Sequence, residues 1–262
     1  MPKSTQNLFM AFLLVLVPLC TSAAAGLGVK NNMRSELLMP KGNGPFPAVL
    51  ILHTSGGVTP ANFDYAKRLA EKGYASLIPY YFDANDIRSA SRGTALNEHA
   101  EEVLADLLTA LDYLKSNPRI DKDRLAAVGF SMGGYWALLL AAKGQVQAGV
   151  SYYGVLSGFG LNKGSARYQF QDVFDENSSP VLILHGEMDT TQPVAGAHRL
   201  SALLERKQVA FEKYIYPYVG HRFEIYHNAA AADSWNKTLE FFDKYLSTKR
   251  PPPELQPSSE VR

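Results

Sequence analysis

Short apolar runs recur along this chain, and the segments between them carry apolar residues at helical spacing. The runs read AVLILH (48–53), YASLIPYYF (74–82), RLAAVGF (124–130), VQAGVSYYG (146–154) and PVLILHG (180–186). Runs this brief, rich in β-branched, leucine and aromatic residues and without polar alternation, suit strands covered on both faces. Helical patterns occupy 61–73, which stops on Gly73, and 95–118, which stops on Asn117 and Pro118. Further helices are expected at 135–144, 193–207 and 229–246, with a weak edge strand at 35–40 and another strand at 209–217. Strands alternating with helices bury both sheet faces only as a largely parallel sheet with helices on each side. The expected fold class is therefore α/β, a doubly wound and mostly parallel sheet. Ligands in such sheets sit at the C-terminal ends of the strands.

The chain has 262 residues, enough for one large α/β domain, and neither a repeat nor a long linker divides it. Lys and Arg number 26 against 25 Asp and Glu, and they are dispersed, so no footprint for nucleic acid exists. The N-terminus stands apart. Lys3 precedes an apolar run from Leu8 to Leu19 and then small residues, TSAAAG, the layout of a signal peptide cut after Ala23 or Ala25. That run is shorter than the roughly 20 residues a membrane span needs. The expected organisation is a leader at 1–25, one domain at 26–248 and a disordered, proline-rich tail at 249–262, with export and no stable membrane association after cleavage. The single cysteine, Cys20, lies in the leader, so the mature chain has no disulfide and no thiol nucleophile. No Cys/His cluster has metal-ligand spacing, and no metal or cofactor is expected.

Gly129-Phe130-Ser131-Met132-Gly133 matches G-x-S-x-G where a strand pattern becomes a helix pattern. The bare pattern recurs by chance; its strand–turn–helix setting is what specifies a nucleophile elbow. The glycines let strand and helix approach closely, and the serine is presented at a helix N-terminus that favours developing negative charge. A glycine-rich turn with a capping serine is the blander alternative. A serine hydroxyl needs a base oriented by a third group, in the chain order Ser, acid, His. Asp189 follows the run 180–186 and His221 follows 209–217, so both fall at the strand ends where Ser131 lies. Asp172, Asp175, His198 and His227 fall in loop or helical stretches, and His185 reads as a structural hydrogen-bonding residue. For the oxyanion hole, one amide comes from Met132 and the other from Ser55 or Thr54 in the loop HTSGG, with His53 bracing that loop. Tyr80, Tyr81, Phe82, Tyr152 and Tyr153 sit at strand ends, either walling an aromatic pocket or packing.

With these pieces in order, the chain resembles the dienelactone hydrolase family of α/β-hydrolases from about Ser35 to Leu246. The likeness rests on HTSGGV, GFSMGGYWALLLAA, SYYGV, LILHGEMDTTQPV and GHRF…TLEFF. It implies the α/β-hydrolase fold, with Ser131, Asp189 and His221 as the triad and the amides of Ser55 and Met132 as the oxyanion hole. It also departs from the family. Ser131 stands where the best-known members use cysteine, Thr54 where they use an activating glutamate, and Ala84 and Ile225 where arginines grip a substrate carboxylate. Arg88 and Arg222 lie nearby in sequence but off those positions. The expectation is an exported serine hydrolase of carboxylic esters, lactones included, acting on a small molecule through an acyl-enzyme. Thr54, Tyr81, Phe82, Tyr153 and Arg222 are the candidate pocket residues. The alternatives are a peptidase or acyl-transferring relative, a dienelactone hydrolase proper, or a binding protein that kept the fold. Nothing in these residues fixes an oligomeric state.

Overall fold

The computed structural model describes residues 33–88, 94–154, 166–226 and 228–247. The leader at 1–25, the tail at 249–262 and His227 lie outside the described residues. Seven strands are formed: β1 (Ser35–Leu38), β2 (Phe46–Leu52), β3 (Ala75–Pro79), β4 (Ile120–Phe130), β5 (Ala148–Tyr152), β6 (Val181–Gly186) and β7 (Phe211–Tyr216). The helices are α1 (Pro60–Glu71), α2 (Ala100–Ser116), α3 (Met132–Ala142), the single turn α4 (Phe170–Val173), α5 (Ala195–Arg206) and α6 (Ala229–Tyr245).

The strands make one sheet in the order β1-β3-β2-β4-β5-β6-β7, parallel throughout except for β1, which pairs antiparallel with β3 at the edge. Alternate residues serve opposite faces. Leu50, Leu52, Ala127 and Ile183 face the layer built from α2, α3 and α5, while Val49, Ile51, Val128 and Leu182 face α1 and α6. Every residue of α3 is buried, as its all-round apolar sequence requires.

The chain steps from β2 outward to β3, then returns across to β4 and continues the other way. The order of the strands therefore reverses between β2 and β4, whose ends are paired through Leu52 and Gly129. Adjacent crossovers leaving in opposite directions open a crevice at this point. The loop after β2 and the turn after β4 meet there.

Several expected boundaries shift, three of them for visible reasons. The run 74–82 is strand only to Pro79; Pro lacks an amide for the ladder, and the chain turns as the Asp83 amide donates to the Tyr80 carbonyl at 3.0 Å. Helix α2 starts at Ala100 rather than 95, because Asn97 and Glu98 fold back onto the Thr94 carbonyl. Strand β4 reaches back to Ile120, which pairs with Phe46 across a register shift that a hydrophobicity pattern does not register.

Candidate active site

Ser131 occupies the step between β4 and α3 at φ 54° and ψ −116°, a conformation L residues rarely adopt. Its neighbours explain how it is held. A Cβ on Gly129 would lie 1.9 Å from the Gly133 carbonyl oxygen, and one on Gly133 would lie 2.1 Å from the Leu52 carbonyl oxygen. Only glycine lets strand, helix and the end of β2 converge this closely. The turn is tied down by the Ser131 amide, which donates to the Tyr152 carbonyl at 3.0 Å.

Asp189 and His221 arrive from the ends of β6 and β7. The two loops are stitched together: the Glu187 amide donates to Tyr216 and the Met188 amide to Val219. The backbone at Val219 also passes within 2.5 Å of where a Cβ on Gly186 would sit, so the His221 loop lies directly across the end of β6. His221 Nδ1 is 2.7 Å from Asp189 Oδ2, and His221 Nε2 is 3.1 Å from Ser131 Oγ. A carboxylate only accepts, so the imidazole carries its proton on Nδ1 and offers the Nε2 lone pair to the serine hydroxyl. The Asp189 side chain is fully buried while that of His221 is 16% exposed. Burial would raise the Asp189 carboxyl, but hydrogen bonds from His221 and from the Gln192 amide outweigh it and hold the group below the ordinary carboxylate range. Its second oxygen accepts from the amides of Thr191 and Gln192, both at 2.8 Å.

The loop after β2 forms a tight turn in which the Gly57 amide donates to the Thr54 carbonyl at 3.0 Å. His53 braces it as expected: Nδ1 lies 2.8 Å from the Thr54 carbonyl oxygen, so it donates there. The Tyr81 ring stacks on the His53 imidazole at 3.9 Å, and the Tyr81 hydroxyl donates to the His53 carbonyl at 2.7 Å. Close packing of Gly133 on Leu52 and His53 brings the end of β2 to the first turn of α3. There the Met132 amide has no intrahelical acceptor.

A cavity of about 310 Å³ opens beside these groups. Of the candidate pocket residues, Thr54 and Arg222 line this cavity, and Tyr81, Phe82 and Tyr153 do not. Tyr81 and Phe82 instead pack on His53, and Tyr153 packs its ring against His221, centroids 4.5 Å apart. Tyr81 and Phe82 are drawn to His53 because the run 74–82 leaves the sheet at Pro79. His185 is neutral: burial pushes its pKa down, and Nε2 donates to the Gln192 carbonyl at 2.7 Å. His198 lies on the surface near Lys213, and Asp175 organises a turn with Asn177 and Ser178.

Sequence reasoning missed Glu224. Three residues past His221, it looks like a surface acid in a polar turn. In the fold, its Oε1 accepts from the Tyr153 hydroxyl at 2.5 Å, and its Oε2 is buried without a hydrogen-bond partner. Burial pushes this carboxyl up. Tyr153, at φ 37°, is thereby held between the acid and the His221 imidazole. Only the return of the loop beneath Tyr153 creates this contact, so no local pattern announces it. Among the described residues no cluster of His, Cys, Asp and Glu has the geometry to hold a metal ion.

A model of the dienelactone hydrolase family matches residues 33–246. The Escherichia coli (strain K12) protein named "Putative carboxymethylenebutenolidase" is 32% identical over 234 residues, covering 84% of this chain and 85% of the relative. A crystal structure named as a "Putative Dienelactone Hydrolase" of Klebsiella pneumoniae superposes with a TM-score of 0.67 at 30% identity, over 81% of this chain and 93% of that one. Acylaminoacyl peptidase of Pyrococcus horikoshii shares the fold at a TM-score of 0.69 and 16% identity, over 84% of this chain but 40% of that one.

Proposed function

Since this chain belongs to the dienelactone hydrolase family of α/β-hydrolases and is a hydrolase of ester or lactone bonds, we propose that it is a serine carboxylesterase, exported after loss of residues 1–25, that works through an acyl-enzyme on Ser131. The observation that carries the reading is the hydrogen-bonded line from Ser131 Oγ through His221 to Asp189, at 3.1 and 2.7 Å, with the serine in a strained turn at a helix N-terminus.

In the proposed reaction, Ser131 Oγ attacks the ester carbonyl as its proton passes to His221 Nε2. The oxyanion is met by the amides of Ser55 and Met132, aided by the positive end of α3. Collapse expels the alcohol, which takes the proton from His221. Water then attacks the acyl-serine by the same route, returning the acid and free Ser131. Asp189, charged and fully buried, keeps the imidazole in the required tautomer and stabilises its cationic form. Lactones, as cyclic esters, present the same carbonyl and differ in that the alcohol stays attached.

Thr54 and Ile225 stand where family members carry an activating glutamate and a carboxylate-gripping arginine, and both line the cavity beside the nucleophile. The uncharged side chains at these two positions favour neutral esters, because a buried carboxylate without a partner is costly. The test is hydrolysis of p-nitrophenyl acetate and butyrate by the purified chain, with covalent labelling by a fluorophosphonate. Turnover with the label on Ser131 is expected; a label on another serine overturns the assignment.

A further inference from the structure

Two hydrogen bonds hold the His221 ring, from Nδ1 to Asp189 Oδ2 at 2.7 Å and between Nε2 and Ser131 Oγ at 3.1 Å. They set where the two nitrogens lie but leave the ring free to tilt about the line joining its partners. In the proposed reaction the serine contact is also given up once Oγ has attacked, so for part of each turnover the imidazole rests on Asp189. Misplacing a reacting group by about 1 Å costs on the order of 10²-fold in rate. A contact that limits the tilt therefore matters to the reaction.

Tyr153 touches the loop that carries His221 at two points. Its ring meets the imidazole at an interplanar angle of 62°, centroids 4.5 Å apart, an inclined contact that a tilting imidazole would have to push aside. Its hydroxyl donates to Glu224 Oε1 at 2.5 Å, and Glu224 lies in the short turn Phe223–Ile225 directly after His221. A carboxyl offers an acceptor oxygen whether charged or neutral, so this bond does not depend on the ionisation of Glu224. Tyr153 is itself fixed. It is wholly buried, and its amide donates at 2.7 Å to the carbonyl of Leu184 on β6, the strand that leads to Asp189. Consecutive strand residues take opposite faces, yet Tyr152 and Tyr153 belong to the same core layer, the one under α1 and α6. The left-handed backbone at Tyr153, φ 37°, breaks the alternation, a conformation that a bulky residue keeps only where its surroundings impose it. The two hydroxyls then part: that of Tyr152 goes to Ser234 and Thr238 in α6, and that of Tyr153 to the His221 loop.

Resting on the esterase reading above, we propose that Tyr153 and Glu224 are a positioning pair for the general base. The Glu224 carboxyl tethers the Tyr153 ring, and the ring holds the His221 imidazole at the inclination from which Nε2 serves first Ser131 and then the leaving alcohol. The pair acts through His221, so it governs kcat with little effect on KM.

Steady-state kinetics on p-nitrophenyl butyrate and proton NMR of the His221 Nδ1 hydrogen test this together. Tyr153→Phe keeps the ring and loses its tether, and Glu224→Ala removes the acceptor. Each is expected to lower kcat about 10-fold with KM within about 2-fold of the parent. The double variant is expected to lose no more than the worse single one, because the two residues act as a unit. Glu224→Gln keeps a carbonyl acceptor and is expected to recover most of the loss seen in Glu224→Ala. The Nδ1 proton, identified by its disappearance in His221→Ala, is expected to exchange with water at least ~10-fold faster in Tyr153→Phe and Glu224→Ala than in the parent. Parental kcat in both single variants, additive losses, a change confined to KM, no recovery in Glu224→Gln, or equal exchange in parent and variants overturns the pair. Should Glu224→Ala not fold, Tyr153→Phe decides by kcat and exchange. The ester reading is scored separately: no hydrolysis by the parent, with faster exchange in the variants, sinks the catalytic reading while the contact stands. Hydrolysis with kcat and exchange unchanged in the variants sinks the pair and leaves the esterase.

Discussion

At φ 54°, Ser131 sits in backbone strain of order 1–3 kcal/mol, which the surrounding sheet and helix must hold in place. Ser131→Ala keeps that backbone and removes the proposed nucleophile, so esterase activity is expected to fall by about 10⁴- to 10⁶-fold with the unfolding midpoint little changed. Asp189→Asn leaves the base in place but spoils its tautomer, so it should be less severe than His221→Ala; equal activity in Asp189→Asn and the parent would point to another carboxylate. The two buried acids should act on stability with opposite signs. Asp189 is held below its unfolded value, so its contribution is present above the ordinary carboxylate range and is lost as pH falls through the depressed value. Glu224 is pushed above its unfolded value, so it favours the fold in acid and opposes it once pH rises through that range. Glu224→Gln is therefore expected to raise the thermal midpoint at neutral pH and to lose that advantage near pH 4; urea or thermal melts at both pH values check the crossing.

Elements, rather than single side chains, set the distance between Ser131, the proposed nucleophile, and the loop after β2. Helix α3 is buried along its whole length and lies against the end of β2 through Gly133, where a methyl group would meet the Leu52 carbonyl at 2.1 Å. The obstacle is backbone, so it cannot swing aside as a side chain would. Gly133→Ala is expected to cost about 3 kcal/mol or more, at the upper end of overpacking changes. It should also lower kcat more than it raises KM, since the Ser55 amide moves away from the Met132 amide. Equilibrium unfolding together with steady-state kinetics would show both effects. Wild-type stability in this variant would mean that α3 can shift without consequence. Gly186 plays the corresponding part at the other end of the site, where Val219 crosses β6 and delivers His221 to Asp189.

Across the whole molecule, the residues matched by the family model, 33–246, contain every strand and helix described above. A chain spanning 26–248 is accordingly expected to keep the full-length melting temperature and kcat/KM, and exported protein should begin near Ala24 or Gly26 by N-terminal sequencing. Retention of Met1 on exported material would reject the leader. Much of this organisation was legible beforehand. Strand and helix periods follow from how often a side chain must face the core, and the order Ser131, Asp189, His221 follows from which loops share one end of a parallel sheet. Glycines at 129 and 133 already implied a close crossing, because only backbone packed on backbone excludes a methyl group. What lay outside that reach depends on contacts between segments far apart in sequence. The departure of Tyr81 and Phe82 from the cavity came from a turn after Pro79 that packs on His53. The cavity draws its lining from α1 and α6, which start some 170 residues apart in the chain. Glu224 took its place under Tyr153 for the same reason. The sequence by itself determined the α/β architecture and the identities and chain order of Ser131, Asp189 and His221, since local periodicity and chain order encode them. Only the tertiary structure decided which side chains wall the cavity and which acid is buried, because burial is a property of assembled surfaces and no window of residues contains it.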